Sequence, residues 1–154
     1  MPNYKGHLIG GFFTFIIVSF VCKSVLPLTI NTAIEWLFFS LLGSLFPDID
    51  IKSKGQNFFY RLIGIIFIVL FLQRRLYELA LVSFVSLFPL LIRHRGITHS
   101  LWFICGIFIC VTNYAYLFLP QYANIIFFDI FFFCLGAFSH LVLDLGWRRT
   151  FKLH

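Results

Sequence analysis

Charge is what this sequence has least of. Only 12% of its residues are Asp, Glu, Lys or Arg, about half of what a soluble domain carries. A small soluble domain exposes too much of its surface to hide a chain that is 60% hydrophobic. That shortage, with a mean hydropathy of +0.95, excludes an ordinary water-soluble globule and leaves lipid as the solvent. Cysteine is also scarce: Cys22, Cys105, Cys110 and Cys134 all sit inside apolar runs. None forms a CxxC pair, so neither a disulfide framework nor a thiolate zinc site is expected. No internal repeat, low-complexity tract or polar linker divides the 154 residues, and residues 1–154 read as one integral membrane domain. The net charge of +6 is spread between apolar runs. Charge placed that way sets membrane topology and does not form a nucleic-acid-binding face.

What the chain has in abundance is apolar run length, with 23 Phe among its residues. A crossing helix needs about 20 such residues. Six candidates follow: Leu8–Leu28, Thr32–Phe46, Phe58–Leu72, Leu76–Ile92, Leu101–Leu119 and Ile125–Leu145. Several are short, so the fold class expected is an all-α polytopic transmembrane bundle of four to six segments, six preferred. The run after Lys5 lacks a small-x-small cleavage signal and reads as a retained anchor. Lys23 falls inside the first run, where it would snorkel or line the interior. Thr32-Ala-Ile-Glu35 fits a capping box for the second. Asp129 would favour the start of the last helix through the dipole.

Six crossings place Lys5, Lys52, Lys54, Arg61, Arg93, Arg95, Arg148, Arg149 and Lys152 on the N-terminal side, and Arg74 and Arg75 on the other. The bias makes the N-terminal side cytoplasmic, with both termini there.

The residues able to do chemistry follow the same layering. His7 opens the first helix. Asp48 and Asp50 close the second, in Phe46-Pro-Asp-Ile-Asp50. His94 and His99 precede the fifth, in Arg93-His-Arg-Gly-Ile-Thr-His-Ser100. His140 and Asp144 end the sixth, in Ser139-His-Leu-Val-Leu-Asp144. Each alone has a plain explanation: a capping His, a Pro-Asp turn, an N-cap at Thr98 or Ser100. Collected in one layer at the N-terminal side, they point to a site, because ionisable groups at membrane depth are costly. His140 and Asp144 are four apart and share a helix face, and Gly136 continues that face and allows close helix approach. His94 and His99 are five apart, about 140° around a helix. Gly96 between them favours a loop, making His99 the ligand and His94 an acid–base or outer group. Imidazole with carboxylate suits zinc, manganese or iron, with zinc or manganese expected first, whereas carboxylate alone would suit magnesium or calcium. The expected ligands are His7, Asp48, Asp50, His99, His140 and Asp144, for one or two ions, with Asp50 as the bridge in the latter case. Arg93 and Arg95 would pair with phosphate oxygens, and His94 would supply a proton.

These motifs, in this order and over nearly the whole chain, resemble the LexA-regulated, membrane-bound metal-dependent hydrolase family of the YdjM type. The His94-Arg-Gly-Ile-Thr-His-Ser100 block is the most specific part of the likeness. The resemblance implies a small bacterial inner-membrane hydrolase. Depth in the bilayer points to a lipid-borne phosphoester or ester as substrate and to membrane lipids as partners. A metal-ion or proton transporter, or a structural membrane protein stapled by its polar layer, would use the same residues otherwise. The sequence leaves the oligomeric state open. A reporter fused after His154 should give a cytoplasmic signal; a periplasmic one would reverse the orientation.

Overall fold

The computed structural model describes residues 3–24, 26, 28–50, 54–74, 76, 79, 83 and 99–146, without the side chains at 49, 50, 54, 55 and 70. The described residues form five α-helices and one 3₁₀ segment, with no strand. They are α1 (Tyr4–Val21), α2 (Ile30–Leu45), the 3₁₀ turn Phe46–Asp50, α3 (Lys54–Leu72), α4 (Leu101–Phe118) and α5 (Ala123–Leu145). Among them α1, α2 with its extension to Asp48, α4 and α5 are long and apolar enough to cross a membrane. The apolar stretch of α3, Gln56–Val69, is shorter. The fourth segment expected from sequence, Leu76–Ile92, falls almost wholly outside the described residues. The molecule is a helical membrane bundle, and its lateral surface exposes Phe20, Ile30, Leu72, Leu117 and Phe118 as lipid requires.

Local signals set most of the helix ends. Asn3 caps α1, its side chain accepting from the Gly6 N–H at 3.2 Å. The helix then stops at Val21, where Cys22 N–H closes on the Val18 carbonyl. The first run was expected to reach Leu28 with Lys23 inside it, snorkelling or lining the interior; instead Lys23 is exposed in the turn beyond the helix and does neither. The capping box of α2 lies one turn earlier than the sequence suggested. Thr29 is the N-cap and Thr32 its reciprocal partner, each side chain accepting from the other's backbone N–H. A Thr hydroxyl at the third helical position does what Glu does in the commoner box, so Glu35 is free of that duty. Asp129 is the seventh residue of α5, and no acid stands in that helix's first turn. The dipole acts only within that turn, so it does not account for Asp129.

α5 is the central helix, packing on α1, α2 and α4. At one end of the α2–α5 contact Trp36 stacks on fully buried Phe132, with ring centroids 5.1 Å apart. Further along, the two backbones touch. A Cβ added to Gly43 would collide with the Phe133 carbonyl, and one added to Gly136 would collide with the Ser40 carbonyl. Ser40 in turn donates from Oγ to the Gly11 carbonyl at 2.9 Å, tying α2 to α1. Gly136→Ala should therefore cost about 1–3 kcal/mol as an overpacking change. Gly64→Ala, where a Cβ meets nothing within 4 Å, should be neutral. Unfolding of the two variants in mixed micelles checks the difference.

Candidate metal centre

Four helix ends deliver the site. His7 stands in the first turn of α1, in the register fixed by the Asn3 cap. Asp48 follows α2 because Pro47 has no N–H to continue the helix. Phe46 N–H bonds to the Gly43 and Leu42 carbonyls as α2 ends, and the chain tightens into the 3₁₀ turn that carries Asp48. His99 lies immediately before α4, whose N-cap Ser100 makes no side-chain capping bond. His140 and Asp144 occupy the last two turns of α5. α1 and α4 start at this layer while α2 and α5 end there.

The five side chains converge. His7 Nε2 is 3.3 Å from Asp144 Oδ1, and His140 Nε2 is 3.4 Å from Asp144 Oδ2 and 3.5 Å from Asp48 Oδ1. His99 Nε2 is 3.4 Å from Asp48 Oδ1 and 4.0 Å from Asp144 Oδ2. The His7 and His140 rings stack with centroids 3.8 Å apart and planes 19° apart, and His99 meets His140 edge-on. His7, His140 and Asp144 are 1%, 0% and 3% exposed, whereas His99 and Asp48 are 16% and 28% exposed. The first three form a closed floor; Asp48 and His99 form the side open to the surroundings.

The protonation pattern follows from one contact. His140 Nδ1 lies 2.7 Å from the Ser44 carbonyl, which can only accept, so Nδ1 carries the proton. In the neutral ring Nε2 is then a lone pair, facing two carboxylate oxygens and lacking a hydrogen-bond partner. Asp144 Oδ1 is likewise buried without one. Buried acceptors facing one another repel and are costly unless a cation lies between them. The 3.3–3.5 Å separations match the edge of a tetrahedron around an ion with bonds of about 2.0–2.1 Å. His7, Asp48, His140 and Asp144 each offer one donor atom, all within 4.8 Å of one another, and imidazole with carboxylate is a donor set that could hold divalent metal. The Ser44 carbonyl supplies the outer contact that orients a ligating His.

Five of the six ligands expected from sequence are thus brought together. Asp50 has its backbone in the same 3₁₀ turn as Asp48, but its side chain lies outside the described residues, as do Arg93, His94 and Arg95. Two contributors were missed. Ser44 acts through its backbone carbonyl, which no side-chain pattern reveals. Asn3 was legible as an N-cap but was passed over.

The family described as YdjM inner membrane protein matches residues 1–153 of the chain. No curated protein and no solved structure matches it. His140→Ala should weaken Zn²⁺ or Mn²⁺ binding by more than the ~10–100-fold typical of losing an outer-shell contact. Competition with a chelating dye measures the change, and Lys23→Ala should leave binding unaltered.

Proposed function

The chain belongs to the YdjM inner membrane protein family, and from that premise we propose that it is a metal-dependent hydrolase. Its substrate is a lipid-borne phosphoester or ester, cleaved at the cytoplasmic face of the inner membrane. The observation that supports this reading best is the convergence of His7, Asp48, His140 and Asp144, whose donor atoms lie within 4.8 Å of one another, with Asp48 and His99 on the more exposed side. Catalytic metal centres need such an open position, while structural ones are closed. A bound divalent ion, zinc or manganese, supplies Lewis acidity and a source of activated water near neutral pH.

The protein's own residues divide the remaining work. His7, His140 and Asp144 hold the centre from below, and the Ser44 carbonyl fixes the tautomer of His140. Asp48 and His99 hold it from the open side, where substrate enters. Arg93 and Arg95 bind the anionic group of the substrate, and His94 passes a proton to the leaving group. Backbone N–H groups at the start of α4, where Ser100 caps nothing with its side chain, favour an anion at the same place. A transporter would place its site near the bilayer midplane on broken helices. Here α1, α2, α4 and α5 are continuous and the donors sit at their ends.

Purified protein in mixed micelles with head-group-labelled phospholipids should release water-soluble product when loaded with Zn²⁺ or Mn²⁺. Chelation should abolish the release and metal should restore it. Asp48→Ala should lower kcat by at least ~10²-fold, as loss of a group acting on the transition state does. Turnover that survives both chelation and Asp48→Ala would overturn the proposal.

A further inference from the structure

The ring stack of His7 on His140 has a consequence for how many ions the centre holds. An imidazole lone pair lies in the plane of its ring. Two rings whose planes differ by only 19° and whose centroids are 3.8 Å apart therefore keep their Nε2 lone pairs in two separate, nearly parallel planes. Both Nε2 atoms face the one Asp144 carboxylate, His7 toward Oδ1 and His140 toward Oδ2. One ion at bonding distance does not lie in both planes, so the two nitrogens serve two positions, and the ring spacing is close to the about 3.5–4 Å found between the metals of two-metal hydrolytic sites.

The oxygens divide in the same way. Asp144 Oδ1 lies 3.3 Å from His7 Nε2, while Oδ2 lies 3.4 Å from His140 Nε2 and 4.0 Å from His99 Nε2. Asp48 Oδ1 sides with the second group, 3.4 Å from His99 and 3.5 Å from His140. Asp144 is also the carboxylate best held for a bridging role, 3% exposed, on the same helix face as His140 and one turn further on.

We infer that the centre is dinuclear, with Asp144 as the bridging carboxylate. His7 and Asp144 Oδ1 hold one ion; His140, His99, Asp48 and Asp144 Oδ2 hold the other. The inference rests on the proposed metal-binding reading and moves the bridge from Asp50, the bridge expected from sequence, to Asp144.

Mn²⁺ provides the test. The full-length protein in detergent, stripped with chelator, is reloaded with Mn²⁺ and freed of excess. Elemental analysis should find two ions per chain, and electron paramagnetic resonance should show an exchange-coupled pair. His7→Ala should keep one ion per chain and give the six-line spectrum of isolated Mn²⁺. One ion per chain in the unaltered protein, or two without coupling, overturns the dinuclear assignment and leaves the hydrolase proposal standing. A coupled pair that persists in His7→Ala also overturns it. No bound ion at saturating Mn²⁺ and Zn²⁺ removes the metal-binding reading itself. Should His7→Ala fail to fold, stoichiometry and coupling in the unaltered protein decide alone.

Discussion

The backbone-to-backbone contact of α2 with α5 is the constraint on which the rest depends. Gly43 and Gly136 remove the side chains that would hold these helices apart, so the Phe133 and Ser40 carbonyls sit where a Cβ would be. Only at that distance does the Ser44 carbonyl reach the ring of His140 at 2.7 Å. That bond orients the ring with Nε2 toward Asp48 and Asp144 and places the proton on Nδ1, and the lone pair so presented is what would let the cluster hold a cation. In lipid, helices gain little from the hydrophobic effect between them and rely on close packing and hydrogen bonds. The contact that holds this bundle together is therefore the one that prepares its chemistry.

Much of this was legible in the chain. Membrane integration follows from missing charge, and the layering of His7, Asp48, His99, His140 and Asp144 follows from counting crossings. The i, i+4 pairing of His140 with Asp144, and the role of Gly136 in close approach, both come from helical period alone. The readings that went astray concern ends. Lys23 looked internal because an apolar run shows no stop where a helix ends in a backbone-capped turn. Thr32 looked like an N-cap because Thr serves equally at the cap and at the third position. Asp129 was credited to a dipole whose reach ends a turn earlier. The Ser44 contact was not legible because any residue has a carbonyl.

The polar layer also explains how an oily bundle tolerates its acids. Asp48 and Asp144 would be expensive at membrane depth if left as bare anions. They are placed among three imidazoles at the ends of helices, where one side of the cluster meets the surroundings. The far end of the α2–α5 contact is different in kind: Trp36 and Phe132 stack there, and shape complementarity replaces charge.

The pairing of His7 with Asp144 has a consequence for biogenesis. These residues stand at opposite ends of the described chain, on the first helix and the last, yet they lie 3.3 Å apart. A membrane protein is threaded into the bilayer in order of synthesis, so α1 waits through the insertion of every later segment before its partner arrives. Until then His7 lacks Asp144, and Asp48 lacks His140. The centre cannot take shape on a truncated or half-inserted chain. Its completion is thus a marker of finished assembly, and an ion captured there would clasp the two ends of the sequence together inside the membrane.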